Sequence, residues 1–339
     1  MVIAILSALR KTVQRELGTI GSIKVNNFFL FVAMMVWGAA VSGVMPVGAY
    51  PFLLLFGLIL LPALSSDPLD RIPASRLLLW PLGRPDRLRL RAASLALSPV
   101  LWAAVALCAV SRKLSWAVAI GPAAVAVQAA IGAGRAPWFD PRRVAPPLPG
   151  ALGGLVRKNL RQMICTLDFY VALALSLAGG GYRALAAHPD PAAFPVFAIL
   201  VALALSTLAQ ASFGLDSAAG IARYRLLPLG GTEIVLAKDA AFLAILLALS
   251  APLSMLTALT FGLTALAIGR YPAVVLRRPQ GRWRFTGGDL RFGVPQAIVG
   301  TGLAVAEQQA GAWFLVVAGA LWAVSVYAAS RHWERVPLK

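Results

Sequence analysis

The chain has 339 residues, 59% of them hydrophobic and only 13% charged, with a mean hydropathy of +0.78. That composition excludes an ordinary soluble domain, because apolar runs of about 16 to 22 residues recur along it, near what a bilayer core about 30 Å thick requires. The net charge of +18 would suggest nucleic acid in a soluble protein; here the bases cluster between apolar runs, as the positive-inside rule places them in cytoplasmic loops, and no nucleic-acid partner is expected.

The runs are continuous Leu, Ala and Val without a period of two, so they predict transmembrane helices and not barrel strands. The opening, MVIAILSALRKTVQREL, carries its charges after a short apolar run, with no small-residue cleavage site behind them. It predicts a basic interfacial helix over 8–17, not a cleavable signal, with Arg10 and Lys11 reaching lipid headgroups. Spans are expected over 28–43 and 50–65. The polar phrase SRLLLWPLGRPDRLRLR follows at 75–91. The segment 92–133 then has room for a helical pair with Arg112 and Lys113 at its turn, before a Pro/Arg-rich connector. A second basic helix over 155–163, with Arg157 and Lys158, precedes spans at 169–180 and 197–212. A second polar phrase, RYRLLPLGGTEIVLAK, occupies 223–238. A short hairpin over 239–268, another Pro/Arg-rich connector, and a last pair at 294–306 and 312–329 complete the plan.

The two phrases belong to an internal duplication. A shift of 147 places, that from Arg10 to Arg157, also carries Arg76 onto Arg223, the turn at Pro81 and Gly83 onto Pro228 and Gly230, Asp86 onto Glu233 and Arg91 onto Lys238. Agreement of charges, turn residues and apolar runs at one offset is not the behaviour of a single chance match. After the phrase, GRAPWFDPRR (134–143) matches GRYPAVVLRR (269–278) at an offset of 135, so the second half is shorter there. Reading 239–268 as one span would leave Arg270, Arg277, Arg278, Arg282, Arg284 and Arg291 outside, against the positive-inside rule; a short pair of arms of about 15 residues, re-entrant or spanning around Pro252, keeps them inside.

The expected architecture is therefore all-α: a polytopic membrane bundle of about ten spans, in two parallel repeats plus a C-terminal helical pair. The repeats are 1–147 and 148–293, and the pair is 294–339. Both termini fall on the cytoplasmic side. Heavy use of Arg, Ala, Gly and Pro suits a bacterial chain, which places it in the cytoplasmic (inner) membrane. Each phrase reads as a Pro-Leu-Gly turn followed by a short surface helix, with Thr232 able to cap the second and Glu233 in its first turn, where the helix dipole favours an acid. Glu233 and Lys238 are expected as exposed contacts.

FGLDSAAGIARYRLLPLGGTEIVLAKDAA resembles the cytoplasmic loop of export-type ABC transporter permeases, in which F-G-x-D precedes LLP, a small residue, an acid and a lysine. The matching positions are Phe213, Gly214, Asp216, Leu226, Leu227, Pro228, Glu233 and Lys238. LVRKNLRQM, before the span at 169–180, resembles the basic interfacial helix of the same proteins. The first half lacks an F-G-x-D, with only Asp67 and Asp70 nearby. The resemblance implies a permease subunit whose cytoplasmic helices sit in clefts of a separate ATPase, present in two copies. The contact residues it implies are Arg76, Pro81, Gly83, Asp86 and Arg91 in the first phrase, with Asp216, Arg223, Pro228, Gly230, Glu233 and Lys238 around the second. One chain could serve both ATPase copies, or two chains could pair as a homodimer. The sequence contains no G-x-x-x-x-G-K-[ST] phosphate loop, so ATP chemistry would belong to the partner.

Other chemistries find little support. DSAAGIAR at 216–223 partly resembles the opening of the CDP-alcohol phosphotransferase motif, but Ser217 replaces the required Gly and no paired D-x-x-x-D follows. His188 and His332 stand far apart, and Cys108 and Cys165 read as packing residues, so no metal site, cofactor or catalytic group is expected. An ion-coupled secondary transporter is the stronger alternative; the spans are nearly free of acids, and Glu307 is expected in an outer turn.

Overall fold

The computed structural model describes residues 5–7, 10–11, 24–25, 27, 83–96, 149–216, 220, 224, 229–276 and 285–335. The chain forms two compact units: Met1–Ile23 with Leu30–Phe139, and Lys24–Phe29 with Asp140–Lys339. The spans expected at 28–43, 50–65 and 92–133 lie outside the described residues, as do Arg76, Pro81, Arg223 and Pro228.

In the first unit, residues 5–7 and 10–11 are helical, with Arg10 and Lys11 exposed. Helix α1 (Arg84–Ala96) begins directly after Gly83. Its first-turn Asp86 pairs with Arg89 at 3.7 Å, an exposed i,i+3 contact worth a fraction of a kcal/mol, about 0.3–0.5.

Among the described residues the second unit is mostly helical, with one two-residue ladder. Strand β1 (Lys24–Val25) runs antiparallel to β2 (Gly288–Asp289). Helices α2 (Gly150–Ile164) and α3 (Leu167–Leu185) meet at 79° across Cys165 and Thr166, so the basic helix lies nearly across the end of the next one. Cys165 is buried at that corner. Helix α4 (Ala193–Ala211) returns along α3; Pro195 in its first turn costs no hydrogen bond. Helix α5 (Gly231–Ser250) and helix α6 (Met255–Tyr271, continued by a π-helical turn to Leu276) form the hairpin. Pro252 interrupts it, because a proline there cannot extend the α5 ladder, and Leu253 N–H closes a tight turn on Ser250 at 2.9 Å. Asp289 caps helix α7 (Leu290–Ala310) through the Arg291 N–H, 3.1 Å. Gly311, at φ 95°, ends it in the left-handed region that glycine adopts freely, and helix α8 (Trp313–Arg335) follows.

Three of these helices are long and apolar enough to cross a membrane: Ala193–Ala211, Met255–Leu276 and Trp313–His332. The bent α2–α3 pair is a fourth if it counts as one span. Helices α5 and α7 have comparable lengths but carry ionisable groups, Glu233, Lys238 and Asp239 in α5 and Arg291 and Glu307 in α7. Helix α6 occupies the middle, packed on α4, α5, α7 and α8, whereas α8 is largely exposed along Trp313, Val316, Val324 and Tyr327.

The hairpin arms differ from the expected pair of about 15 residues, for a local reason. The polar phrase does not form a separate surface helix; its helix start continues unbroken into the apolar arm, giving α5 20 residues. Helices α1 and α5 both begin one residue past the phrase's glycine, at Arg84 and Gly231, which are 147 positions apart.

The interior of the second unit contains polar groups that the apolar runs disguised. Gln296 of α7, fully buried, accepts from Asn27 Nδ2 at 3.0 Å and from Gln210 Nε2 at 2.5 Å. It donates to the Ala265 carbonyl of α6 at 2.7 Å. Asn27 also donates to Ser206 Oγ at 2.9 Å, and Gln210 accepts from Asp289 N–H at 2.8 Å. At the opposite end Glu307, expected in an exposed turn, is 6% exposed: it accepts from Thr257 at 3.0 Å and Gln308 at 2.9 Å beside the first turn of α6.

Candidate coupling site at the root of helix α5

Chain geometry brings three separate pieces of sequence to one carboxylate. Helix α4 ends in a turn in which Gly214 and Leu215 N–H groups bond back to Ala211, and this turn delivers Asp216 beneath the bundle. Helix α2 lies alongside α5, so residues one turn apart on α2, Lys158 and Gln162, face the same point. Helix α5 adds Lys238 from its second turn.

The Asp216 carboxylate at the centre of the resulting cage has partners on both oxygens. Lys158 Nζ donates to Asp216 Oδ1 at 2.6 Å and Lys238 Nζ to Oδ2, also at 2.6 Å. Gln162 Nε2 adds a bond to Oδ1 at 3.1 Å. Tyr224 donates its hydroxyl to Oδ2 at 2.8 Å and accepts from Lys158 at 2.8 Å. Lys238 also donates to the Ser212 carbonyl at 2.7 Å and sits 4.7 Å from the centre of the buried Phe213 ring. Burial works to raise the Asp216 pKa, but the Lys238 charge and the hydrogen bonds from Lys158 and Lys238 overcome it and hold the value at about 2. Burial, then the neighbouring Asp216 charge, pushes the Tyr224 hydroxyl above its usual range, so it remains a donor.

A second buried pair lies one residue further along α5. Arg270, in the last turn of α6, donates to both oxygens of Asp239, at 2.6 and 2.5 Å. The Trp322 indole of α8 donates to the same carboxylate at 2.8 Å. Bidentate arginine geometry is the strong form of this contact. Together the two pairs fix the root of α5 to α2, to the end of α4, to α6 and to α8.

The tip of α5 is different. Gly230 and Glu233 are both exposed. The Glu233 carboxylate accepts from Gly230 N–H at 2.9 Å, so Glu233, and not Thr232, satisfies the helix start.

These placements correct several expectations. Lys238 is not an exposed contact; it is 2% exposed, because the Asp216 carboxylate and a backbone carbonyl draw its ammonium inside. Asp216, 5% exposed, is equally removed from any surface encounter. Lys158 turns toward Asp216 and not toward headgroups, although its side chain remains 40% exposed. Gly83, Asp86, Gly230 and Glu233 stay accessible or partly so; Arg157 is half-buried, and the Arg91 side chain lies outside the described residues. The sequence alone assigns no role to Tyr224, Asp239 or Trp322, and it expects Arg270 among the cytoplasmic bases, where the structure instead buries it, 5% exposed, against Asp239. The available signal was an acid and an arginine at the two ends of the hairpin, Asp239 and Arg270, which a hairpin necessarily brings together.

Among the described residues no group of His, Cys, Asp and Glu could hold a metal ion. No protein-family model matches the chain, and no curated protein or solved structure is similar to it.

Proposed function

We propose that the chain is the membrane-spanning permease subunit of an ATP-driven exporter, worked by a separate ATPase that bears on the starts of α1 and α5. The carrying observation is the continuity of α5. One rigid helix runs from the accessible Gly230–Glu233 tip, past two buried ion pairs, to the turn at Pro252, so displacement of the tip must move the bundle. In this reading Gly83, Asp86, Gly230 and Glu233 meet the ATPase, while Asp216 and Lys238 act inside by holding the helix. About ten spans in the bacterial cytoplasmic membrane, with both ends cytoplasmic, complete the proposal.

Affinity purification from native membranes in mild detergent tests it: an ATPase subunit should accompany the chain. Glu233→Lys should lower transport per ATP hydrolysed while membrane insertion is unchanged. Recovery without an ATPase, with transport driven by an ion gradient, refutes the reading. That outcome would favour the ion-coupled secondary transporter, for which the buried Glu307 is the supporting observation.

A further inference from the structure

A line of polar side chains runs through the second unit almost from end to end. Glu307 and Thr257 begin it beside the α5–α6 turn. Thr260 and Thr264 continue it along α6, both fully buried, at the three- and four-residue spacings that share a helix face. From Thr264 the line passes to the adjacent Ala265 carbonyl, to Gln296, and so to Gln210 and the Asp289 backbone at the other end. At 1.5 Å per residue the α6 portion covers about 12 Å and the α7 portion from Gln296 to Asp289 about 10 Å, most of a bilayer core.

Polar groups between membrane helices can simply hold helices together. Thr260 and Thr264 do not do that: their hydroxyls bond to carbonyls of their own helix, Leu256 at 3.0 Å and Thr260 at 2.8 Å, and an apolar side chain would fill the same space without a hydroxyl to bury. Their chemistry is better matched to something that passes. Among the described residues the line's unpaired charge is negative: at the Asp289 end the carboxylate is matched by Arg291 at 2.8 Å. Between Thr257 and Gln296 it offers hydroxyls and amides, and the carboxylate at its Glu307 end is bonded only to neutral donors among the described residues.

We propose that this line between α4, α6 and α7 is the path taken by the polar part of the transported molecule, and that it admits uncharged or cationic groups and rejects anionic ones. The proposal rests on the chain being a transporter but not on which energy source drives it. In the present arrangement the path is closed: at Gly269 a Cβ would lie 2.6 Å from Gln296 Nε2, so α6 and α7 must separate for anything to pass.

The test is aqueous access. In a chain with Cys108 and Cys165 replaced by Ser, Thr264→Cys and, separately, Thr260→Cys are treated in native membranes with cationic and anionic methanethiosulfonate reagents of similar size. His188→Cys in the exposed α3–α4 turn sets the reference rate for each reagent, and Val324→Cys on the exposed face of α8 reports access through lipid. The expected result is reaction at both α6 positions, with a cationic preference over the His188→Cys reference of about tenfold, the size expected for a carboxylate at this depth. Absence of reaction at both positions in inserted protein, or reaction no faster than at Val324→Cys, overturns the path. Equal normalised rates for the two reagents overturn its charge selection. Neither result depends on whether an ATPase co-purifies, so failure here is distinguishable from failure of the ATP-driven reading.

Discussion

Replacing Asp216 by Asn removes the charge that keeps Lys238 inside the protein while leaving the shape of the cage almost unchanged. The Lys238 side chain is 1% exposed, and its remaining partners would be the Ser212 carbonyl at 2.7 Å and Asn159 Oδ1 at 3.4 Å. Breaking a buried pair by neutralising one member leaves an uncompensated charge and costs about 3–5 kcal/mol. The Lys158 half of the cage adds little, no more than about 1 kcal/mol, because that side chain already reaches solvent. A total of about 3–5 kcal/mol is thus expected, carried almost wholly by Lys238. The assay is equilibrium or thermal unfolding in one mild detergent of the wild type, Asp216→Asn, Lys238→Met and the double variant. The double variant should recover most of the loss, because an apolar side chain of similar length needs no counter-charge. A single variant within about 0.5 kcal/mol of wild type, or a double variant no more stable than Asp216→Asn, would refute the reasoning.

The same carboxylate gives a pH prediction. Its pKa falls from an ordinary 3.8 to about 2 on folding, so its contribution is fully present above pH 3.8 and is lost as pH falls through about 2. Linkage puts that loss at about 2–3 kcal/mol, and an acid titration of stability in Asp216→Asn should lack this component. Gly269→Ala should cost about 1–3 kcal/mol, since its Cβ would meet Gln296 Nε2 at 2.6 Å and the α4 backbone at 3.0 Å. Gly302→Ala, with nothing within 4 Å, should be neutral or slightly stabilising, and melting both variants in parallel checks the contrast.

Much of the local structure was legible in the chain. The Pro-Leu-Gly sequences stand just before the helix starts at Arg84 and Gly231, and Pro252 divides 239–268 into two helices, because proline fixes φ and removes a donor while glycine tolerates conformations other residues avoid. The basic segment around Lys158 is a helix set at 79° to the next for the same local reason: an amphipathic run gives way to an apolar one. The cage was not legible. The motif points to Asp216 and the repeat position to Lys238, yet a linear pattern places both at the surface, since nothing in it states which charge meets which.

What the sequence by itself determined is the class of the molecule: apolar helices, charged segments between them, and a polar phrase stated at two places 147 residues apart. These follow from composition and local backbone chemistry. What only the tertiary structure decided is how the charges and amides are paired. Lys158 reaches Asp216 across 58 residues, Arg270 reaches Asp239 across 31, and Asn27 reaches Gln296 across 269. Such contacts exist because packed helices bring buried polar groups to partners without which burial would be too costly.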